Sequence, residues 1–131
     1  MRKVSSLAVI ALLAMAGAAP GSANEKQLSG QEIDRTVRGK RVYLSVPLGG
    51  EFPLYYKANG QVDGSGEALG LGRVMAPKDK GRWWVAGNKL CQKWEQWYDG
   101  NVFCFQIRQT GPTSIAWVRD DGYSGTARIG Q

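Results

Sequence analysis

Histidine does not occur anywhere in the 131 residues of this chain. Its absence removes the Ser-His-Asp triad, the Cys-His pair and every zinc set that needs an imidazole. Cysteine is nearly as scarce, with Cys91 and Cys104 alone. No apolar run reaches the roughly 20 residues that a membrane-crossing helix requires. Blocks of like charge are missing too, so the chain carries no basic tract of the kind that wraps a polyanion.

Other chemistries fail for want of a partner residue. Gly64 and Gly66, with Gly70 and Gly72 beyond them, hint at a phosphate loop. They lack the P-loop lysine and a surrounding βαβ pattern, so flexible loop glycine is the better account. Asp99-Gly100-Asn101 and Asp120-Asp121-Gly122 fall short of a calcium-loop ligand count and are first of all turn sequences. A glycosidase needs two carboxylates across a cleft, one kept protonated by burial. Glu95 with Asp99, or Asp120 with Asp121, lie in turn sequences where solvated carboxylates are ordinary. No catalytic residue, cofactor or metal is expected, and the chain is not expected to be an enzyme.

What is present begins with a leader. Arg2 and Lys3 precede the uncharged stretch Leu7 to Ala19. As a helix that stretch is about 20 Å long at ~1.5 Å per residue, short of the ~30 Å hydrocarbon core. Small residues follow at Gly21-Ser22-Ala23. The pattern predicts a signal peptide over residues 1–23, cut after Ala23, and a periplasmic or secreted protein. A retained anchor is the alternative, disfavoured by Pro20 and Gly21. Residues 24–131 then form a single β domain. The formal net charge is +6, of which Arg2 and Lys3 supply two. The remaining basic residues are scattered, which serves solubility first and attraction to an anionic polymer second. The compartment disfavours nucleic acid, and a monomer is expected.

Two cysteines in an exported chain predict a Cys91–Cys104 disulfide. Closing that loop stabilises the fold by about 3 kcal/mol in the chain-entropy model. Leu28-Ser29-Gly30-Gln31-Glu32-Ile33 reads as a helix start. Ser29 and Glu32 form a capping box, and Leu28 and Ile33 a hydrophobic staple. The helix runs from about Gly30 to Arg38 and stops at Gly39. Short alternating strands follow: Val42–Val46, Phe52–Tyr56, Gln61–Ser65, Arg82–Val85, Lys89–Trp94, Val102–Arg108, Ser114–Arg119 and Tyr123–Ile129. Residues 66–80 read as a loop with a basic tip. Asn59-Gly60 is the preferred pair for a tight two-residue turn with positive φ at both positions. The fold class is mostly β: a small antiparallel up-and-down barrel or sandwich of about eight strands, with one N-terminal helix and one disulfide.

If Cys91 faces Cys104, Lys93 faces Val102. Leu90 and Trp94 then share the core face with Phe103, Phe105 and Ile107, and the disulfide staples the outside. The words L-S-G-x-E-I at 28–33, G-R-W-W at 81–84 and L-C-x-x-W at 90–94, with Cys104 later, loosely resemble a family of small exported bacterial proteins. That resemblance covers most of the chain beyond the leader and implies no activity. The G-x-W element is similar to that of lipocalin-like barrels.

The aromatic residues remain. Trp83 and Trp84 are adjacent, so one points in and one out. Trp97 and Tyr98 sit between the disulfide-linked strands. With Lys78, Lys80 and Arg82 they make a candidate binding surface for a sugar ring or a protein. Filling a small core is the competing account of the same rings. The expected function is a non-catalytic binding module of the cell envelope or periplasm, for a cell-wall polymer or a protein partner. The alternatives are an inhibitor that presents the 66–80 or 95–101 loop to a hydrolase, and an enzyme of unrecognised type.

Overall fold

The computed structural model describes residues 25–47, 49–66 and 77–130. The expected signal peptide, its cleavage site and most of the 66–80 loop lie outside the described residues. The elements are β1 (Lys26–Gln27), α1 (Gly30–Val37), β2 (Lys40–Ser45), β3 (Glu51–Tyr56), β4 (Gln61–Ser65), β5 (Lys78–Ala86), β6 (Lys89–Trp94), a 3-10 turn (Trp97–Gly100), β7 (Val102–Gln109), β8 (Ser114–Arg119) and β9 (Ser124–Ile129).

Strands β2 to β9 pair each with the next, all antiparallel, and β9 pairs back onto β2. The sheet is therefore a closed, eight-stranded, up-and-down barrel. Closure leaves these strands no open edge. The two residues of β1 pair with the far end of β7, Lys26 opposite Gln109, where β6 has already ended.

The helix forms as its sequence dictates. Ser29 Oγ accepts from the Glu32 N–H (3.2 Å), and Glu32 Oε1 accepts from the Ser29 N–H (2.9 Å). The Lys26 ammonium, and then the Ser29 N–H, hold the Glu32 carboxyl down from the ordinary 4.5 to about 2. Ile33 and Val37, one turn apart, are fully buried. Both ends of α1 are tied to strand turns. The Gly30 N–H donates to Asn88 Oδ1 (2.7 Å), and Arg38 reaches the Ala58 carbonyl while pairing with Asp34. Gly39, at φ +75°, turns the chain so that its N–H donates to the Tyr56 carbonyl (2.7 Å). Helix α1 therefore sits across one end of the barrel as a plug.

The cysteine register is as expected: Cys91 faces Cys104, Lys93 faces Val102, and the disulfide is formed. Leu90, Trp94 and Ile107 are buried in the core cluster, whereas Phe103 and Phe105 are only half-buried. Two local expectations change. Strand β5 starts at Lys78 rather than Arg82, which turns the supposed basic loop tip into strand. Asn59-Gly60 is not a two-residue turn: Gly60 alone has positive φ, and Lys57 and Gly60 close a wider turn. The two-residue turn is Gly87-Asn88, with φ of 54° and 59°. The G-x-W element also has a steric cause. A Cβ on Gly81 would lie 2.1 Å from the Lys93 carbonyl oxygen, so only glycine lets β5 and β6 approach there.

Candidate functional site

Alternation along the strands sends every second side chain into the barrel. In the half beside α1 these side chains pack closely. Trp83 is 4 % exposed, lies edge-on to Tyr56, and donates its indole N–H to the Lys57 carbonyl (2.8 Å). Towards the other end the packing opens into a cavity of about 330 Å³. Leu44, Leu90, Phe103, Phe105, Ile107 and Trp117 are among its walls, and Val37 of the plug is its floor. Ser45 and Tyr98, at its upper rim, are exposed. The cavity therefore has a sealed base and a mouth.

Few polar groups face it. The Tyr56 hydroxyl donates to Gln92 Oε1 (2.7 Å), and burial pushes the phenol well above its ordinary pKa, so it stays a neutral donor. The Trp117 indole lies over Gly125, where a Cβ would come within 2.6 Å of the ring, and its buried N–H has no partner. Arg119 is the one charged side chain among the described lining residues. It stands at the mouth with its guanidinium carbon 4.3 Å from the Phe103 ring centre, 4.6 Å from Tyr123 and 5.5 Å from Tyr98. Its Nε and Nη2 donate to the two carboxylate oxygens of Asp121 (2.7 and 2.9 Å). Those hydrogen bonds draw the Asp121 carboxyl below the usual range and raise the guanidinium further.

One side of the mouth is wedged shut by the 3-10 turn. Trp97, expected on the surface, is 5 % exposed. It packs against Trp94 (4.7 Å between ring centres) and edge-on to Phe52 (5.6 Å). The cause lies in Asp79, which points inward between outward Lys78 and Lys80. Its Oδ2 accepts from the N–H groups of Gln96 and Trp97, each at 2.8 Å. That carboxylate holds the turn against the barrel. Gly64 completes the wedge, because a Cβ there would lie 2.6 Å from the Trp97 ring and 2.9 Å from Trp94. The next two residues, Tyr98 and Asp99, adopt left-handed backbone (φ 57° and 54°), uncommon for residues with side chains. This kink leaves Tyr98 54 % exposed at the rim.

The seven residues of the expected surface do not come together. Trp83 and Trp97 are in the core. Trp84, 37 % exposed, lies outside beside Cys91. Lys78, Lys80 and Arg82 point outward from β5, opposite Ser65, Asp63 and Gln61. Lys78 and Trp84 stand about 20 Å apart along one strand at ~3.3 Å per residue. Of the seven, Trp97 and Tyr98 border the cavity, and of these two Tyr98 is the one left exposed at the mouth. Arg119 was not among the expected site residues, although a signal for it exists. It is in phase with Ile115 and Trp117, so a charge was already placed on the inward face of β8 by alternation. Comparison of the chain with protein-family models, with curated proteins and with solved structures gives no match.

Proposed function

We propose that this chain is an exported, non-catalytic binding protein that takes a small, largely apolar ligand into the mouth of its barrel. The observation that carries this is the cavity. Protein interiors are close-packed, with few voids larger than a water molecule. Here about 330 Å³ is left unfilled and opens at one end, and the side chains around it forgo the packing contacts that a filled core would give them. A barrel built only to be stable would fill such a space, yet here large side chains line it. The volume falls at the low end of ligand pockets, about 300–1,000 Å³. A ~150 Å³ apolar cavity takes up benzene, so on that scale roughly a dozen heavy atoms fit here.

Export to the periplasm or the medium is supported by the leader pattern and by the Cys91–Cys104 disulfide, which persists in oxidising compartments. The family resemblance of the G-R-W-W and L-C-x-x-W words fits the same setting. A polymer or protein partner on the outer surface loses its main support with the burial of Trp97. The inhibitor alternative keeps one feature, the kinked turn that presents Tyr98 and Asp99.

The test is a titration with 1-decanol, below its aggregation concentration, followed by tryptophan fluorescence and by melting. Saturation at one molecule per chain with a rise in melting temperature is expected. A linear, unsaturable response would remove the ligand-binding proposal.

A further inference from the structure

We infer that the ligand is an amphiphile with a single negative charge, its apolar body inside the barrel and its anionic end at Arg119. This rests on the proposal that the cavity binds ligand at all, and adds the chemistry of the ligand's head.

Among the described residues the cavity offers a ligand one formal charge, and it is positive. Its position matters as much as its sign. Arg119 lies at the end of the apolar lining, where a chain with its tail on the plug would bring its head. The guanidinium is held rather than loose. Three rings, Phe103, Tyr123 and Tyr98, surround it within 5.5 Å, and its side chain is only 14 % exposed. Such a preorganised fork matches a carboxylate or a comparable monoanion.

Asp121 now occupies the Nε–Nη2 edge. It is a replaceable occupant. Its side chain is 41 % exposed and belongs to the Asp120-Asp121-Gly122 turn, so water can take up its carboxylate once an incoming anion displaces it. A cationic head has no counterpart there, since no carboxylate is among the described residues that bound the cavity. A neutral head can accept one hydrogen bond from the guanidinium but brings neither an opposite charge nor a second oxygen to its fork.

The experiment compares decanoate, 1-decanol and decyltrimethylammonium at neutral pH and low salt, each below its aggregation concentration, by calorimetry. Decanoate should bind about tenfold tighter than decanol, and the cation weakest. In Arg119→Gln the preference for decanoate over decanol should vanish, and Arg119→Lys should restore part of the preference. Asp121→Asn leaves the guanidinium and its rings untouched. It should tighten decanoate by about threefold or more without changing decanol, because it removes the competing anion. Equal binding of decanoate and decanol by the native protein would overturn this inference and leave the apolar cavity standing as the site. So would a preference for decanoate that survives Arg119→Gln. Failure of all three ligands to bind would overturn the cavity proposal itself.

Discussion

The two ends of this barrel are made by the same eight strands and finished in different ways. At the base α1 is tied down at both ends: by the capping box and Asn88 at its start, and at its end by the Ala58 and Tyr56 carbonyls, which accept from the Arg38 side chain and the Gly39 N–H. Ile33, Val37 and Trp83 fill the space behind it. At the mouth a wedge of Trp97 closes one side, and the other side is left to an arginine among half-exposed rings. The base is finished for stability. The mouth carries the features that cost stability, namely a void, two residues in left-handed backbone and a charge facing apolar walls. The proposed function rests on that contrast more than on any single residue.

Truncations can break the comparison. The largest effect is expected from Trp97→Ala, about 3–5 kcal/mol, because it leaves a cavity between Trp94, Phe52 and Gly64. Ile33→Ala at the base should cost about 2–5 kcal/mol for the same reason. Tyr98→Ala, one residue from Trp97, should stay within about 0.5 kcal/mol, since its ring fills no core. Denaturant melts of the three variants check this, and a Tyr98 variant as unstable as the Trp97 variant would erase the distinction between wedge and rim. Replacing Cys91 and Cys104 together by Ala should cost about 2–4 kcal/mol and keep the fold, as read by melting and circular dichroism.

Smaller effects sharpen it. Ser29→Ala should remove about 1 kcal/mol by uncapping the plug, with no loss of ligand at the mouth. Acid should act on both ends. The Glu32 pKa is depressed, so its contribution is fully present above the ordinary 4.5 and is lost as pH falls from there towards about 2. Asp121 is depressed in the same direction, and its pair with Arg119 is lost likewise on acidification. Glu32→Gln should flatten the acid dependence of stability between pH 4.5 and 2. Titration of stability in the two forms measures this, and identical curves would show that the capping carboxylate carries none of it.

Much of the frame was legible in the sequence because its causes are local. The capping box needs Ser29 and Glu32 three residues apart, the strands need period-two alternation, and the disulfide needs two cysteines on facing strands. The site was less legible because its causes are not local. Trp97 goes inward on account of Asp79, 18 residues earlier in the chain, and a glycine at 64 that looked like loop flexibility makes room for its ring. The cavity is a property of how eight inward faces sum, and no strand shows it alone. Phe103 and Phe105 face inward as expected, Phe105 packed against the core, but both are only half-buried because they border the space that the core does not fill. Arg119 could have been found by following the inward phase of β8 to its end.

The most direct test of the account places a ligand in space. Nuclear Overhauser contacts between 1-decanol and the protein should connect its alkyl protons to Leu90, Phe105, Ile107 and Ile115 inside the barrel. Contacts confined to outer-face residues such as Tyr55 and Trp84, with the interior silent at saturating ligand, would contradict it.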